Sequence, residues 1–383
     1  MLKIAYILTP VEYGGSEKIN LVFLKNVNRD NYNVHPILLI RPWEYNNIFV
    51  NELNKIGYTS SKIPVAKRPA FVGRDYFRVI RCMYILYKIL ASENYDIVHT
   101  HGYFADIVGS VTSHLLNIPH IATCHGFISN DINLKIYKKI DKYSLRYCKR
   151  VIAVSRQIRR ELLDEGIKES NVITIANAVD YTIGDNEIAA FRIERKIQLA
   201  VQEDEIIIGY VGRLSKEKGI EYLIRAGEIL KKKNILFKIL IVGEGNMRNE
   251  LESEAYRMGL KDIILFTGFL TDVDRWLPVF DVFVLPSMTE GTPLALLEAM
   301  LYGIPVVASN VGGVPEIVKS EYNGILVNPG DTKGLADAIC LLCENRELRT
   351  TLGKEARETV QTRYNVNMWK EKIESEYDRI AEG

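Results

Sequence analysis

The chain has 383 residues, of which 47% are hydrophobic and 25% charged, and its formal net charge at pH 7 is +1. This is the composition of a folded globular protein, and the length suits two domains of about 100–200 residues each. The apolar stretches fall short of the roughly 20 residues that cross a bilayer, and no cleavage pattern follows the first apolar segment, so we expect a soluble, cytoplasmic protein.

In the first half of the chain, short apolar runs typical of strands alternate with segments of helical periodicity. The predicted strands cover residues 3–8, 34–40, 96–100, 120–123, 150–154 and 172–175. Helical patterns lie between them, for example at 76–90 and 157–165. Repeated strand–helix alternation predicts a parallel sheet covered by helices on both faces.

The second half repeats this alternation. Its predicted strands cover residues 206–211, 237–242, 263–266, 282–285, 306–308 and 324–327. Residues 180–205 lack apolar strand patterning, so we place the domain boundary there, and a last helix is predicted at 368–380. The sequence therefore predicts an α/β protein with two doubly wound, Rossmann-like domains. In such sheets ligands bind beyond the carboxyl ends of the strands, so we expect a site where these ends face each other across a cleft.

Three loops of the first half follow predicted strands and carry candidate residues. Gly14 and Gly15 come after the first strand, where paired glycines allow a ligand to approach the backbone. His125 ends a later strand, and the alternatives of a sugar contact and a structural histidine both stay open there. His99 and His101 are similarly placed but carry a weaker signal.

The first strand of the second half leads into Gly212-Arg213-Leu214-Ser215-Lys216-Glu217-Lys218-Gly219. Two cations beyond a strand's carboxyl end can hold a diphosphate, Arg213 through paired hydrogen bonds and Lys218 as a point charge. Taken alone, the segment also fits an ordinary charged surface turn.

The most informative segment runs from Pro286 to Met300. A strand leads into a loop that contains Glu290 and Gly291, and a helix follows for which we predict Thr292 as the N-cap and Pro293 as the first residue. The helix is apolar all round apart from Glu298, so it is predicted to be buried, and a buried carboxylate needs a partner. The N–H groups near Leu294 offer an anion site. The two acids can bind the hydroxyls of a sugar nucleotide, and the N–H groups of the helix N-terminus between them can bind its phosphates.

Other motifs are weaker. Gly312-Gly313 opens a short helix and could offer backbone contacts to phosphate or sugar. Asp272-Val273-Asp274 resembles a metal-binding Asp-x-Asp, but its position favours acids in the first turn of a helix. Gly243-Glu244-Gly245 is an incomplete dinucleotide fingerprint. Cys340 and Cys343 are expected to pack in the core of an amphipathic helix rather than bind metal.

The two halves differ in charge. Residues 1–186 carry 24 Lys and Arg against 17 Asp and Glu, a net charge of +7, and the remainder carries 25 against 31, a net charge of −6. Helical spacing between residues 135 and 150 predicts one basic stripe: Lys135, Lys138, Lys139, Lys142, Arg146, Lys149 and Arg150. Beside it lies an apolar stripe of Ile136, Ile140, Tyr143 and Tyr147. Such a helix can lie on an anionic membrane or simply expose a solvated basic face, and both interpretations stay open. No nucleic-acid-binding module is present, so we expect no nucleic-acid partner.

Over nearly its whole length the chain resembles the retaining glycosyltransferases of family 4, which have the GT-B fold. The most specific parts are Gly212-Arg213-x4-Lys218-Gly219 and Glu290-x7-Glu298. The resemblance implies an acceptor-side domain at 1–182, a domain that binds the nucleotide sugar at 183–365, and a final helix at 366–383 that packs back on the first domain. One departure is Asn177-Ala178-Val179-Asp180, where the family usually has Gly second.

The resemblance also implies roles for single residues. Arg213 and Lys218 would grip the donor diphosphate, Glu290 would contact the transferred sugar, and Glu298 would bind the ribose hydroxyls. The expected catalytic residues are Arg213, Lys218, Glu290 and His125, the last near C6 of the sugar. The expected donor-binding residues are Gly14, Gly15, Arg213, Lys218, Glu290, Gly291, Thr292, Pro293, Leu294 and Glu298.

The expected reaction is therefore metal-independent transfer of a sugar, with retention, from a nucleotide diphosphate to a glycan or lipid-linked hydroxyl. Uracil is the expected base, with guanine next, and no cofactor or metal is expected. The protein is expected in the cytoplasm, with possible peripheral contact at the inner face of the plasma membrane. Two alternatives remain: an epimerase of nucleotide sugars on a similar fold, and a non-catalytic subunit that binds them.

Overall fold

The chain forms two compact units. The structure, a computed structural model, describes residues 1–10, 13–44, 47–66, 75–126, 140–180, 184–202 and 204–382. The first unit consists of Met1–Asn177 and Val366–Gly383, and the second of Ala178–Asn365. The first unit thus ends at residue 177, where the sequence placed the boundary after residue 182. Ala178, the residue that departs from the family pattern, is buried at this junction.

The first unit is built on a parallel seven-stranded sheet in the order β3-β2-β1-β4-β5-β6-β7. Its strands are β1 (Leu2–Leu8), β2 (Tyr32–Ile40), β3 (Ser61–Pro64), β4 (Ile97–His101), β5 (His120–Cys124), β6 (Arg150–Ala153) and β7 (Val172–Thr174). The strand order reverses between β1 and β4, so the loops that follow these two strands flank a switch point, the usual ligand position in such sheets.

Helices connect these strands. They are α1 (Gly15–Asn26), α2 (Ile48–Lys55), α3 (Asp75–Glu93), α4 (Tyr103–Leu115), α5 (Arg156–Asp164) and, at the end of the chain, α13 (Val366–Ala381). Side-chain caps fix two of their starts: Asn47 accepts the Val50 N–H at 3.0 Å, and Ser155 accepts the Ile158 N–H at 3.2 Å. Such caps satisfy backbone donors that the first turn leaves free.

The last helix, α13, belongs to the first unit, where it packs against α1. The Trp369 ring lies edge-on to Phe23 with 5.9 Å between centroids. The Tyr377 hydroxyl lies 2.6 Å from Nδ1 of His99 on β4. Arg150 Nε, at the start of β6, lies 2.6 Å from the buried carboxylate of Glu376. Because these contacts combine aromatic packing with a buried ion pair, α13 is part of the core of this unit.

The second unit has a parallel six-stranded sheet in the order β10-β9-β8-β11-β12-β13. The strands are β8 (Ile206–Val211), β9 (Phe237–Val242), β10 (Ile264–Gly268), β11 (Val282–Leu285), β12 (Val306–Ser309) and β13 (Ile325–Val327). The helices are α6 (Asp185–Gln198), α7 (Ile220–Lys232), α8 (Arg248–Arg257), α9 (Leu294–Leu301), α10 (Val314–Ile317), α11 (Thr332–Glu344) and α12 (Arg346–Arg363). Here the strand order reverses between β8 and β11.

Two elements were not predicted from the sequence. Strand β3 is short, contains a proline and lies at the sheet edge. An edge strand can form with only a weak apolar pattern, so its sequence carries little sign of it. Helix α6 lies inside the segment interpreted as a linker, and it is held by polar side chains. Arg192 donates to the Pro278 carbonyl at 2.8 Å, and the Arg195 guanidinium lies 4.5 Å from the Trp276 ring centroid. Across the described ranges, none of the helices has the length and hydrophobicity to cross a membrane.

Candidate active site

The predicted diphosphate-binding residues lie at the carboxyl edge of the second sheet, at the switch point between β8 and β11. The turn after β8 contains Arg213 and Lys218, and the loop after β11 contains Glu290. Since β8 and β11 are hydrogen-bonded neighbours, two segments far apart in the sequence become adjacent there. This edge is where an open parallel sheet accepts a ligand.

The backbone of the turn after β8 is fixed by its neighbours. The Leu214 N–H donates to the Glu244 carbonyl at 2.8 Å, and the Tyr210 hydroxyl donates to the Arg213 carbonyl at 3.0 Å. A Cβ on Gly243 would lie 1.9 Å from the Gly212 carbonyl oxygen. The fingerprint-like glycine is therefore explained by close packing against this turn. The side chain of Arg213 is exposed at the edge of the sheet.

Lys218 and Glu290 form an ion pair in this site. Lys218 Nζ lies 2.7 Å from Glu290 Oε1, and only 6% of the Glu290 side chain is exposed. The Ser287 hydroxyl, which is fully buried, donates to the same oxygen at 2.7 Å. Sequence reasoning missed Ser287, although its polarity directly after a buried strand was a usable signal. One carboxylate oxygen thus holds an ammonium group in a defined position at the switch point.

Glycines hold the Glu290 loop between two other turns. Gly312 has φ +58°, and a Cβ there would lie 1.8 Å from the Glu290 carbonyl oxygen. Gly219 has φ +62°, and a Cβ there would lie 2.3 Å from the Pro286 carbonyl oxygen. The Gly313 N–H donates to the Gly291 carbonyl at 3.1 Å. Only glycine combines this backbone conformation with so close an approach, so the turns at Gly219 and Gly312 fix the position of the Glu290 loop.

Helix α9 follows this loop and differs from the prediction at its start. It begins at Leu294 with Pro293 in the cap position, so the assignment of Thr292 as N-cap was wrong by one residue. Pro293 has φ −72° and extended ψ, so the proline ends the loop rather than opening the helix. The helix is buried, as predicted, and includes Glu298 at 8% exposure among otherwise apolar residues. Its first N–H groups lie at the same edge of the sheet as Lys218.

The other predicted residues lie in the first unit. Gly14 is the N-cap of α1 and Gly15 its first residue, at the end of the segment that connects β1 to α1. Glu17 closes this turn, because its carboxylate accepts the Gly14 N–H at 3.1 Å and the Ser16 hydroxyl at 2.7 Å. The glycine pair thus occupies the switch point of this sheet.

His125 lies at the carboxyl end of β5 and contacts His101 at the end of β4. His101 Nδ1 is 3.3 Å from His125 Nε2. Burial lowers the pKa of His125 to about 4 and holds the pKa of His101 well below its usual range, so both are neutral at pH 7. Among the described residues, neither His101 Nε2 nor His125 Nδ1 has a hydrogen-bond partner, and the two rings line a small cavity with Tyr6 and Asn20.

His99, by contrast, is a core residue. It is fully buried, with Nδ1 2.6 Å from the Tyr377 hydroxyl and Nε2 2.8 Å from the Thr123 hydroxyl. Both ring nitrogens are therefore used inside the protein.

The weaker metal motifs have structural explanations. Asp272 stands at the N-cap position of a 3-10 helix, Val273–Arg275, and its carboxylate lies 3.6 Å from the Arg195 guanidinium. In the part of the chain that the structure describes, no cluster of three His, Cys, Asp or Glu side chains could hold a metal ion. Cys340 is buried in the core and Cys343 packs partly against it.

The predicted basic stripe is only partly within the described residues, since Lys135, Ile136, Lys138 and Lys139 lie outside them. Arg150 is not on a helix, because it opens β6 and pairs with Glu376, so its assignment to the stripe was wrong. Lys142 pairs with the Glu165 carboxylate, and Arg146 donates to the Glu165 carbonyl at 3.1 Å through Nε. The described cations of the stripe thus bind protein partners, whereas Tyr143 and Tyr147 remain exposed.

Comparison with known proteins identifies the family. The model of Glycosyltransferase Family 4 matches residues 13–182, and that of Glycosyl transferases group 1 matches residues 191–359. An uncharacterised glycosyltransferase from Methanocaldococcus jannaschii is 32% identical over 290 residues, which cover 72% of this chain and 73% of that protein. The chain is a family 4 glycosyltransferase.

Two further comparisons place the enzyme within the family. The Escherichia coli UDP-Gal:α-D-GlcNAc-diphosphoundecaprenol α-1,3-galactosyltransferase is 30% identical over 301 residues, 76% of this chain and 77% of that protein. The crystal structure of HepE from Anabaena in complex with UDP-glucose superposes with a TM-score of 0.83 at 22% identity, covering 99% and 100% of the two chains. This glycosyltransferase therefore has the GT-B fold.

Proposed function

We propose that this glycosyltransferase moves a sugar from a nucleoside diphosphate, with uracil as the base, to a hydroxyl of a glycan or lipid-linked acceptor, with retention and without a metal. The biosynthesis of cell-surface polysaccharide or glycoconjugate is the proposed context. The observation that carries the proposal is the Lys218–Glu290 ion pair at the switch point, beside Arg213 and the start of α9.

The chemical problem in such a transfer is the negative charge that develops on the leaving diphosphate. Lys218 is held ready by Glu290, and Arg213 extends from the same turn. The pre-positioned Lys218, the Arg213 guanidinium and the N–H groups at the start of α9 would stabilise that charge with little reorganisation, which makes electrostatic catalysis effective. In this proposal they take the part that a metal ion plays in other transferases.

The remaining residues of this edge would bind the donor. Glu290 contacts the hydroxyls of the transferred sugar, and Glu298 on α9 takes the ribose hydroxyls. The backbone of Gly291, Thr292, Pro293 and Leu294 lies against the phosphates. For retention, the bond from the anomeric carbon to phosphate breaks while the acceptor oxygen attacks on the same face, and a diphosphate oxygen takes the acceptor proton. Charge and protons balance without a protein nucleophile.

The first unit is proposed to supply the acceptor side. Gly14 and Gly15 would lie near the donor phosphates, and His125 near C6 of the sugar. Among the described residues, Nδ1 of His125 has no hydrogen-bond partner, so it could bind a hydroxyl group of the sugar. Its lowered pKa favours a neutral imidazole, which can donate or accept a hydrogen bond without adding charge.

The comparisons support the classes of donor and acceptor. The E. coli relative is named for UDP-galactose and an undecaprenol-linked acceptor, and HepE was solved with UDP-glucose. A uridine donor and a lipid-linked or glycan acceptor are therefore the first to test here. The proposed location is the cytoplasm, with peripheral contact at the inner face of the plasma membrane.

The test begins with donor binding. Nucleotide sugars with different bases are screened by thermal shift, because a ligand that binds only the folded protein raises its stability. The best donor is then incubated with a panel of glycan and lipid-linked acceptors in EDTA, and the anomeric configuration of the product is read by NMR. We expect a glycoside of retained configuration. Release of an altered nucleotide sugar without acceptor would instead identify an epimerase, and tight binding without any product would identify a non-catalytic subunit.

A further inference from the structure

Helix α3 of the first unit has an unusual outward face. Its inward face is buried against the sheet through Cys82, Leu86 and Leu90. Its outward face also carries large apolar side chains: Phe77, Ile80, Tyr84 and Tyr87 are 63%, 57%, 59% and 39% exposed. Their spacing of three and four residues places them in one row along the helix. Core packing explains the first set, whereas Ile80, Tyr84 and Tyr87 remain exposed to solvent in the described structure.

The charges along this row are all of one sign. Residues 76–92 contain Arg78, Arg81 and Lys88 and no Asp or Glu. Arg81 and Lys88 are exposed beside the apolar row, and the Lys88 ammonium lies 4.6 Å from the Tyr84 ring centroid. An exposed helix face normally mixes charges of both signs, so a row of apolar and aromatic side chains edged only by cations points to an anionic, partly apolar partner.

The elements next to α3 also expose apolar and aromatic side chains. Helix α4 packs against α3 and against the 3-10 helix Leu145–Tyr147. On α4, Val111 and Leu115 are exposed, and beyond it Tyr143 and Tyr147 are exposed, with the Arg146 guanidinium 5.7 Å from the Tyr143 ring centroid. In the second unit, Tyr256, Leu265 and Leu341 are exposed on three separate elements, and Ile193 and Ile197 are exposed four residues apart on α6, a shorter row than the one on α3.

We propose that this surface, centred on the α3 row of Ile80, Tyr84 and Tyr87, docks on the surface of an anionic lipid bilayer. Aromatic and branched side chains insert into the headgroup boundary, while Arg81 and Lys88 meet the lipid phosphates. In a dimer formed through this surface, the cations of one copy would repel those of the other. A nucleic acid or a polyanionic glycan would bind the cations but would not cover the apolar row. The inference deepens the proposed function, on which it rests for a membrane-held acceptor.

The experiment is co-sedimentation of the full-length protein with vesicles of phosphatidylcholine alone or of an equimolar mixture with phosphatidylglycerol. The triple variant Ile80→Ser, Tyr84→Ser, Tyr87→Ser removes the row, and Arg81→Glu, Lys88→Glu reverses the charge. The matched control is Tyr256→Ser, Leu265→Ser, Leu341→Ser, which removes exposed apolar side chains of the second unit. Thermal melting establishes that each variant is folded.

We expect wild type and control to bind the anionic vesicles, the triple variant to bind at least about tenfold more weakly, and the charge variant to lose the preference for phosphatidylglycerol. Equal loss in the control, unchanged binding by the triple variant, or a wild-type dimer that the triple variant abolishes would each overturn the proposal. Donor binding is measured on the same samples without vesicles. Because neither assay needs the other to succeed, failure of docking and failure of the proposed function are distinguishable.

Discussion

Lys218 Nζ lies 2.7 Å from Glu290 Oε1, although the two residues are 72 positions apart in the sequence. The pair exists because β8 and β11 are neighbours, so the loops that follow them meet at one edge. Glu290 is nearly excluded from water and also accepts the Ser287 hydroxyl, so the carboxylate is fixed from two sides. The Lys218 ammonium is therefore held in one position in the folded protein, as its proposed electrostatic role requires.

Replacing Lys218 should impair the transfer far more than it impairs donor binding. Lys218→Gln removes the charge that would face the leaving diphosphate, and we expect kcat to fall by about 10²–10³-fold. Lys216→Gln is the matched control, since Lys216 lies on the same 3-10 helix and is exposed. Initial rates with saturating donor measure the effect. A Lys218→Gln enzyme as fast as the control would remove this cation from the mechanism.

Gly312→Ala should disturb the Glu290 loop without touching a proposed catalytic side chain. The new Cβ would lie 1.8 Å from the Glu290 carbonyl oxygen, at a residue with φ +58°. The loop must shift, and a displacement of about 1 Å at a reacting site can cost about 10²-fold in rate. Both the transfer rate and the melting temperature should fall.

Gly330→Ala is the control that separates the effect of backbone strain at a positive φ from the effect of displacing the Glu290 loop. Gly330 also has positive φ, +78°, but a Cβ there would meet nothing closer than Tyr222 at 3.6 Å. We expect this variant to lose only the roughly 1–2 kcal/mol that a side chain costs in the left-handed region, with transfer unchanged. Similar losses of activity in both variants would mean that general destabilisation, and not the position of Glu290, explains the Gly312 result.

The sequence predicted the interior strands well because they are buried on both faces. The bounds of 206–211, 237–242 and 282–285 agree with β8, β9 and β11, since apolar runs in parallel sheets end abruptly at polar loop residues. Strand β3 and helix α6 escaped prediction because each lacks such a run. Edge position and polar anchoring, which only the fold defines, hold them in place.

The sequence named the candidate residues and predicted that they converge, but it could not predict which side chains contact each other. The cations and acids could be named because their loops follow strands. The contact between Lys218 and Glu290 depends on strand order, and no local pattern encodes the order of parallel strands joined by crossovers. The same holds for His101 and His125, which meet because β4 and β5 pair in register. Ser287 could be assigned to Glu290 only once the loop was seen.

His101 should act through His125. Each neutral ring carries one N–H proton, and one ring donates to the other across the 3.3 Å contact. The direction of this hydrogen bond decides whether Nδ1 or Nε2 of His125 carries its proton, so His101 fixes the His125 tautomer. His101→Leu removes this partner, and we expect kcat/KM for the donor to fall about tenfold, the range of one hydrogen bond. His101→Asn places an amide near the position of Nδ1 and should restore most of the loss. Equal activity of the Leu and Asn variants would contradict the role, and the His125 tautomer can be read from ¹⁵N chemical shifts.

The buried His120 predicts an acid-sensitive first unit. Its Nε2 lies 2.8 Å from the Thr100 hydroxyl and its Nδ1 lies 3.2 Å from Cys148 Sγ. Burial lowers its pKa from 6.5 to about 3, so the unfolded chain takes up this proton first as the pH falls. The stability that His120 contributes is complete above about pH 6.5 and is lost on descending towards pH 3, at about 1.4 kcal/mol per pH unit.

His120→Gln isolates this contribution, because the amide stays neutral at every pH. The raised pKa of Asp141, to about 7, acts in the opposite direction but is common to both proteins and cancels in the comparison. The free energy of unfolding is measured by urea titration from about pH 8 to about pH 4. We expect the variant to be less stable than wild type at neutral pH and the gap to narrow steadily below about pH 6.5. Two parallel stability curves would show that His120 has the same pKa in the folded and the unfolded protein, which would contradict this explanation.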